Sequence, residues 1–88
     1  MKKIAWHAHA QERLVERGIN EKLVKDALQH PDQVIVVGKN KILHKRYYDP
    51  YRRKNYLLRL FIEQHAEVWI ICSVYRTSKI NKYWRDEG

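Results

Sequence analysis

Apolar positions recur at helical spacing over the first third of the chain and at alternate positions over most of the rest. At about 100° per residue, Trp6, Ala10 and Leu14 fall within one sector of about 80°, a stripe that predicts a helix over residues 6–17. Gly18 suits the left-handed position that stops such a helix. Asn20 is a good N-cap for a second helix, with Ile19 and Val24 able to pack across the cap. Val24, Ala27 and Leu28 supply its buried face, and Pro31 ends it by forcing the preceding residue out of helical backbone.

From Gln33 onward the period is two. Gln33–Val37 is a β-branched run, Gly38-Lys39-Asn40 is a turn signal, and residues 41–48 complete a hairpin. Asp49-Pro50 opens a loop through Asn55. Tyr56, Leu58, Leu60 and Ile62 then alternate with Leu57, Arg59, Phe61 and Glu63. Residues 67–75 are apolar on both faces apart from Ser73, which predicts a central strand covered on both sides. Thr77 or Ser78 caps a last helical turn or two, where Ile80, Tyr83 and Trp84 can pack back on the sheet. The expected fold is α+β: two N-terminal helices packed on a four-stranded antiparallel meander, then a short C-terminal helix, in one domain over residues 1–88.

Charge adds a partner to this picture. Eighteen Lys and Arg against ten Asp and Glu give a net charge of +8, which repels itself in the compact state and points to an anionic ligand. Seven cations (Lys39, Lys41, Lys45, Arg46, Arg52, Arg53, Lys54) face one acid, Asp49, between residues 39 and 54. Tyr47, Tyr48, Tyr51 and Tyr56 are interleaved with them. Arg76, Lys79, Lys82 and Arg85 form a second group, with no acid until Asp86. A meander brings the loop near residue 50 and the strand end near residue 76 to one edge. Cations neutralise phosphates while aromatic rings stack on unpaired bases, so RNA, single-stranded rather than duplex, is the expected partner. The plainer alternative is solvated loop charge and lysines that protect sheet edges.

Other classes fit less well. The longest apolar run, residues 68–72, is far too short to span a membrane. Met1-Lys2-Lys3 resembles the start of a signal peptide, but His7, His9, Gln11 and Glu12 arrive before an adequate apolar stretch. Cys72 alone permits no intramolecular disulfide, which suits a cytoplasmic protein, and its strand makes it a small apolar filler. No metal or cofactor is expected. His7 and His9 lie about 200° apart on a helix, and the other histidines are on separate elements.

His9, Arg13 and Arg17 recur every four residues and share one face of the first helix, bordering its buried stripe. In one reading the arginines bond strand carbonyls or Glu12 and Glu16; in the other His9 is an acid or base and Arg13 a phosphate clamp.

The stretch His9-Ala10-x-x-Arg13-x-x-x-Arg17-Gly18-Ile19 resembles the opening of a group of small prokaryotic proteins sharing a domain of unassigned function. Val74-Tyr75-Arg76-Thr77-Ser78-Lys79-Ile80-x-Lys82-Tyr83 resembles their ending. That group in turn resembles the RelE and BrnT toxins, small RNases of toxin–antitoxin pairs. The resemblance implies a RelE-like fold and metal-independent cleavage of RNA, free or as ribosome-bound mRNA, by attack of the ribose 2′-OH on the adjacent phosphate. It also implies an acidic antitoxin as protein partner. The matching catalytic positions are Arg46, Arg59, Arg76 and Tyr83, with His9 and Arg13 from the first helix. Lys45, Arg52, Arg53, Lys54, Lys79 and Lys82 would hold the nucleic acid. The competing expectations are an RNA- or ribosome-binding module without catalysis, and a protein-interaction domain using an exposed edge strand.

Overall fold

The computed structural model describes residues 3–85; Met1, Lys2 and residues 86–88, Asp86 among them, lie outside them. Along the chain run β1 (Lys3–Trp6), α1 (Ala8–Glu16), α2 (Glu21–Gln29), β2 (Gln33–Val37), β3 (Asn40–Asp49), β4 (Lys54–Gln64), β5 (Val68–Thr77) and α3 (Ile80–Tyr83). The class is α+β as expected, but the sheet has five strands and is mixed: its order is β1-β5-β4-β3-β2, with β1 parallel to β5.

The extra strand takes Trp6, assigned above to the first helix, together with Lys3, Ile4 and Ala5, for which no element was expected. Ile4 and Trp6 face the same side as Trp69 and Ile71, their partners across the pair, so period two and the helical stripe share Trp6. His7 separates the two elements. Its backbone is extended (φ −67°, ψ 139°), and its ring nitrogen accepts the His9 N–H at 3.3 Å, the work of an N-cap. The helix stripe is thus shorter than predicted, with Ala10 and Leu14 buried and Trp6 packed beside them from the strand.

The turn chemistry acts as read. Gly18 has φ +63°, and the Ile19 and Gly18 N–H groups bond the Leu14 and Val15 carbonyls, closing α1 in a Schellman motif with Ile19 and Leu14 both buried. Nothing lies within 4 Å of where a Cβ would sit, so only backbone conformation opposes a side chain. Gly18→Ala is therefore expected to lower stability by about 1 kcal/mol, read as a lower urea midpoint at constant m-value. Asn20 caps α2 by accepting from the Lys22 N–H at 2.9 Å. Gly38, with φ +60°, and Lys39 form the two-residue turn that pairs Val37 with Asn40.

Both long helices cover one face of the sheet. Ala10, Leu14, Ile19, Val24 and Ala27 pack there on Leu43, Leu58, Leu60, Ile62, Ile71 and Val74. Ile71 and Val74 are three residues apart yet face the same way, because the β4–β5 register slips between Phe61 and Ile62 and leaves Cys72 as a bulge. That bulge also turns Ser73 and Tyr75 onto the other face, opposite Phe61 and Arg59. The outer face of β5 is only half covered, where full cover was expected: no long helix lies on it, and Tyr75 meets Phe61 and Tyr83 of α3. No helix among the described residues is long and apolar enough to cross a membrane.

Candidate nucleic-acid interface on the open sheet face

The face without long helices carries a polar constellation centred on Arg59. Strand alternation places His44 and Arg46 of β3 on this face, and the β3–β4 register sets His44 directly opposite Arg59, which in turn stands opposite Tyr75. The Arg59 Nε donates to His44 Nε2 at 3.1 Å, and its Nη1 donates to the Tyr75 hydroxyl. Tyr83 of α3 places its ring centroid 4.1 Å from the guanidinium carbon. Three strands and the C-terminal segment thus converge on one cation.

His44 is fully buried, with 0% of its surface exposed. An arginine Nε can only donate, so His44 Nε2 accepts and the ring proton sits on Nδ1, which donates to Gln33 Oε1 at 3.1 Å. Burial first, then the nearby Arg59 and Arg85 charges, push its pKa down to about 4, so the imidazole is neutral at pH 7. Arg46 lies 5.0 Å from the centroid of Trp84, whose indole stacks over His44.

Of the catalytic residues expected from the sequence, the structure gathers Arg46, Arg59 and Tyr83 on this face and leaves three elsewhere. Arg76 points to the helix side, 5.7 Å from the Tyr56 centroid and 3.5 Å from the Gly18 carbonyl. There it hydrogen-bonds Tyr47, whose phenol is raised by burial against the pull of that guanidinium. His9 and Arg13 lie exposed on the outer surface of α1, His9 beside Glu12 at 3.7 Å. Arg17, the end of the same row, donates to the Val74 carbonyl at 2.6 Å, so this member of the row bonds a strand carbonyl.

The expected nucleic-acid contacts also divide. Lys45 is tied down: its Nζ donates to the His30 carbonyl at 2.8 Å and lies 3.4 Å from Asp26 and 3.7 Å from Asp32, fastening α2 to β3. Arg52 pairs with Asp49 at 2.9 Å. Asp49 also accepts the Tyr51 and Arg52 N–H groups, and although burial opposes its charge, these bonds hold its carboxyl below the usual range. Arg53, with a left-handed φ of 53°, is exposed in the same loop, and Lys54 is exposed at the start of β4. Lys79 and Lys82 are exposed around α3, the latter 5.4 Å from the Tyr83 centroid. Thr77 stands opposite Leu57, so this group and the β3–β4 loop lie at the same end of the sheet.

His44, Tyr75 and Gln33 are site residues beyond those expected from the sequence, and Trp84, expected only to pack back on the sheet, stacks on His44. His44 and Arg46 sit two apart in a predicted strand, and that spacing was the available signal. Cys72 is half-buried and lies 3.7 Å from Glu63, with its thiol pushed up by burial and then by that carboxylate. Among the described residues no group of three His, Cys, Asp or Glu side chains is arranged to hold a metal ion. Comparison with protein-family models, with curated proteins and with solved structures gives no match to this chain.

Proposed function

We propose that the open sheet face binds single-stranded RNA and cleaves it without a metal ion, as a toxin-type endoribonuclease. The observation that carries this reading is the Arg59 guanidinium held between His44 and Tyr75 and roofed by Tyr83. A phosphate arriving there competes with His44 Nε2 for the Arg59 donors and frees that nitrogen's lone pair. His44 then takes the proton of the ribose 2′-OH as the 2′-oxygen attacks phosphorus. Arg59 and Arg46 stabilise the charged phosphorane. The bond to the 5′-oxygen breaks and that oxygen leaves with the Tyr83 hydroxyl proton, which the imidazolium restores through solvent. The products are a 2′,3′-cyclic phosphate and a 5′-hydroxyl. Lys54, Arg53, Lys79 and Lys82 supply phosphate contacts along the same end of the sheet, and the net charge of +8 suits an acidic antitoxin as well.

The full burial of His44 favours a second reading, in which the face binds RNA without cutting it. Incubating the protein with a mixed-sequence RNA in EDTA, with and without ribosomes, separates the two. Cleavage leaving 2′,3′-cyclic ends supports the first; salt-dependent binding without cleavage supports the second. A salt-independent affinity counts against both, because phosphate contacts release counterions. Under the first reading His9→Ala and Arg13→Ala keep the cleavage rate within about threefold of wild type, since neither side chain approaches Arg59; a loss of about a hundredfold in either moves the chemistry to α1.

A further inference from the structure

The segment that follows α3 lies across the site, and one side chain fastens it. Gln33, on edge strand β2, accepts the Arg85 N–H through Oε1 at 3.3 Å and donates from Nε2 to the Arg85 carbonyl. A backbone N–H can only donate, which fixes the amide orientation, and the same Oε1 accepts from His44. Trp84, the residue before this clamp, lays its indole over the imidazole with centroids 6.4 Å apart and planes inclined by 24°. His44 has the helix-covered core on the far side of the sheet, so its cover on this side is the C-terminal segment. The other four histidines, His7, His9, His30 and His65, are exposed.

We infer that Trp84 and Arg85 form a strap that gates access to His44, with Gln33 as its latch. The fastening is built to open. It consists of two hydrogen bonds at an exposed backbone, one aromatic stack and the Arg46 guanidinium over the Trp84 ring, each of modest net strength. Lifting it leaves the helix-side core cluster untouched. Closed, the strap keeps water and reagents from the imidazole; open, it uncovers His44 beside the Tyr83-roofed Arg59 and frees the Trp84 ring to stack on a base. The latch rests on geometry alone, and only the identity of the ligand that lifts it rests on the RNA reading.

Carbethoxylation by diethyl pyrocarbonate, applied to the full chain at pH 7 and mapped by peptide mass spectrometry, reads each histidine separately. In wild type His44 should react much more slowly than the four exposed histidines. Gln33→Ala and Trp84→Ala should each speed it by about tenfold or more, as loss of one or two hydrogen bonds or of the stack implies. Trp84→Phe, which keeps an aromatic cover, should leave it slow. Near-ultraviolet circular dichroism establishes that each variant is folded, and two variants from different elements guard against one unfolding. Slow His44 in both folded variants overturns the strap, as does a wild-type His44 that reacts as fast as the exposed four. Binding of an unstructured oligouridylate, measured in parallel, tests the other reading: faster His44 with no oligouridylate binding leaves the strap standing and removes RNA as its ligand.

Discussion

Arg59→Ala is expected to lower RNA cleavage by about 10²–10³-fold, the usual cost of removing one fixed donor aimed at developing charge. The size of the effect follows from how this guanidinium is held. Two of its nitrogens are committed to neighbours on β3 and β5, and its face lies under the Tyr83 ring, so it is oriented before any phosphate arrives. Preorganisation of this kind acts in the transition state, where charge on the phosphorane is greatest. Arg59→Lys should recover little of the activity, because an ammonium lacks the planar fork that reaches His44 and Tyr75 together. Binding should suffer far less than cleavage: removing a single phosphate interaction reduces the slope of log affinity against log salt by about 0.7 for a single strand. Single-turnover cleavage of a labelled oligonucleotide in EDTA measures the rate, and urea unfolding tells a local defect from a global one. A folded Arg59→Ala protein that cleaves within about threefold of wild type would remove Arg59 from the chemistry.

The contrast with Arg76 shows where reading the sequence succeeded and where it stopped. Both arginines sit in strands and both belong to basic, tyrosine-rich neighbourhoods. Alternation alone sets their faces: Arg59 lies between Leu57 and Phe61, while Arg76 shares a face with Val74, which is buried against the helices. Counting back from Arg76 by twos would put Cys72 and Ile70 on that inner face. The bulge at Cys72 breaks the count, and it is Ile71 that enters the core. Nothing in residues 67–75, apolar on both faces, marks where one residue is skipped. Helices and turns were more legible because single residues encode them: Gly18 for the left-handed stop, Asn20 for the cap, Gly38 for the hairpin. Four-residue β1 is not legible in the sequence because Trp6 satisfies helical and strand spacing equally. The row His9, Arg13, Arg17 could not be resolved without β1, since Arg17 finds the Val74 carbonyl beyond the point, at Ile71, where β1 stops pairing with β5.

The second large effect concerns pH. His44 titrates at about 4 in the folded protein against 6.5 for an ordinary histidine. The groups facing it are Arg59 on β4, Arg46 on its own strand and Arg85 in the strap, with Tyr75 and Tyr83 reached through Arg59. Burial and like charge both oppose protonation, and none of these groups is a carboxylate. Above pH 6.5 the ring is neutral whether the chain is folded or not, so His44 makes stability independent of pH there. Between 6.5 and about 4 the unfolded chain binds a proton that the folded one refuses, so stability falls as pH falls; below about 4 the decline levels off. The full decline is on the order of 3 kcal/mol at about 1.36 kcal/mol per pKa unit. His44→Gln keeps an acceptor for Arg59 and a donor for Gln33 but cannot ionise. Urea unfolding of wild type and His44→Gln at intervals from about pH 8 to about pH 3.5 isolates the effect as their difference, in which carboxylate titrations common to both cancel. The difference should be flat above about pH 6.5 and steepest near about pH 5. A difference that stays flat throughout would mean that His44 takes its proton in the folded state as readily as in the unfolded one, and that the strap does not exclude water from the ring.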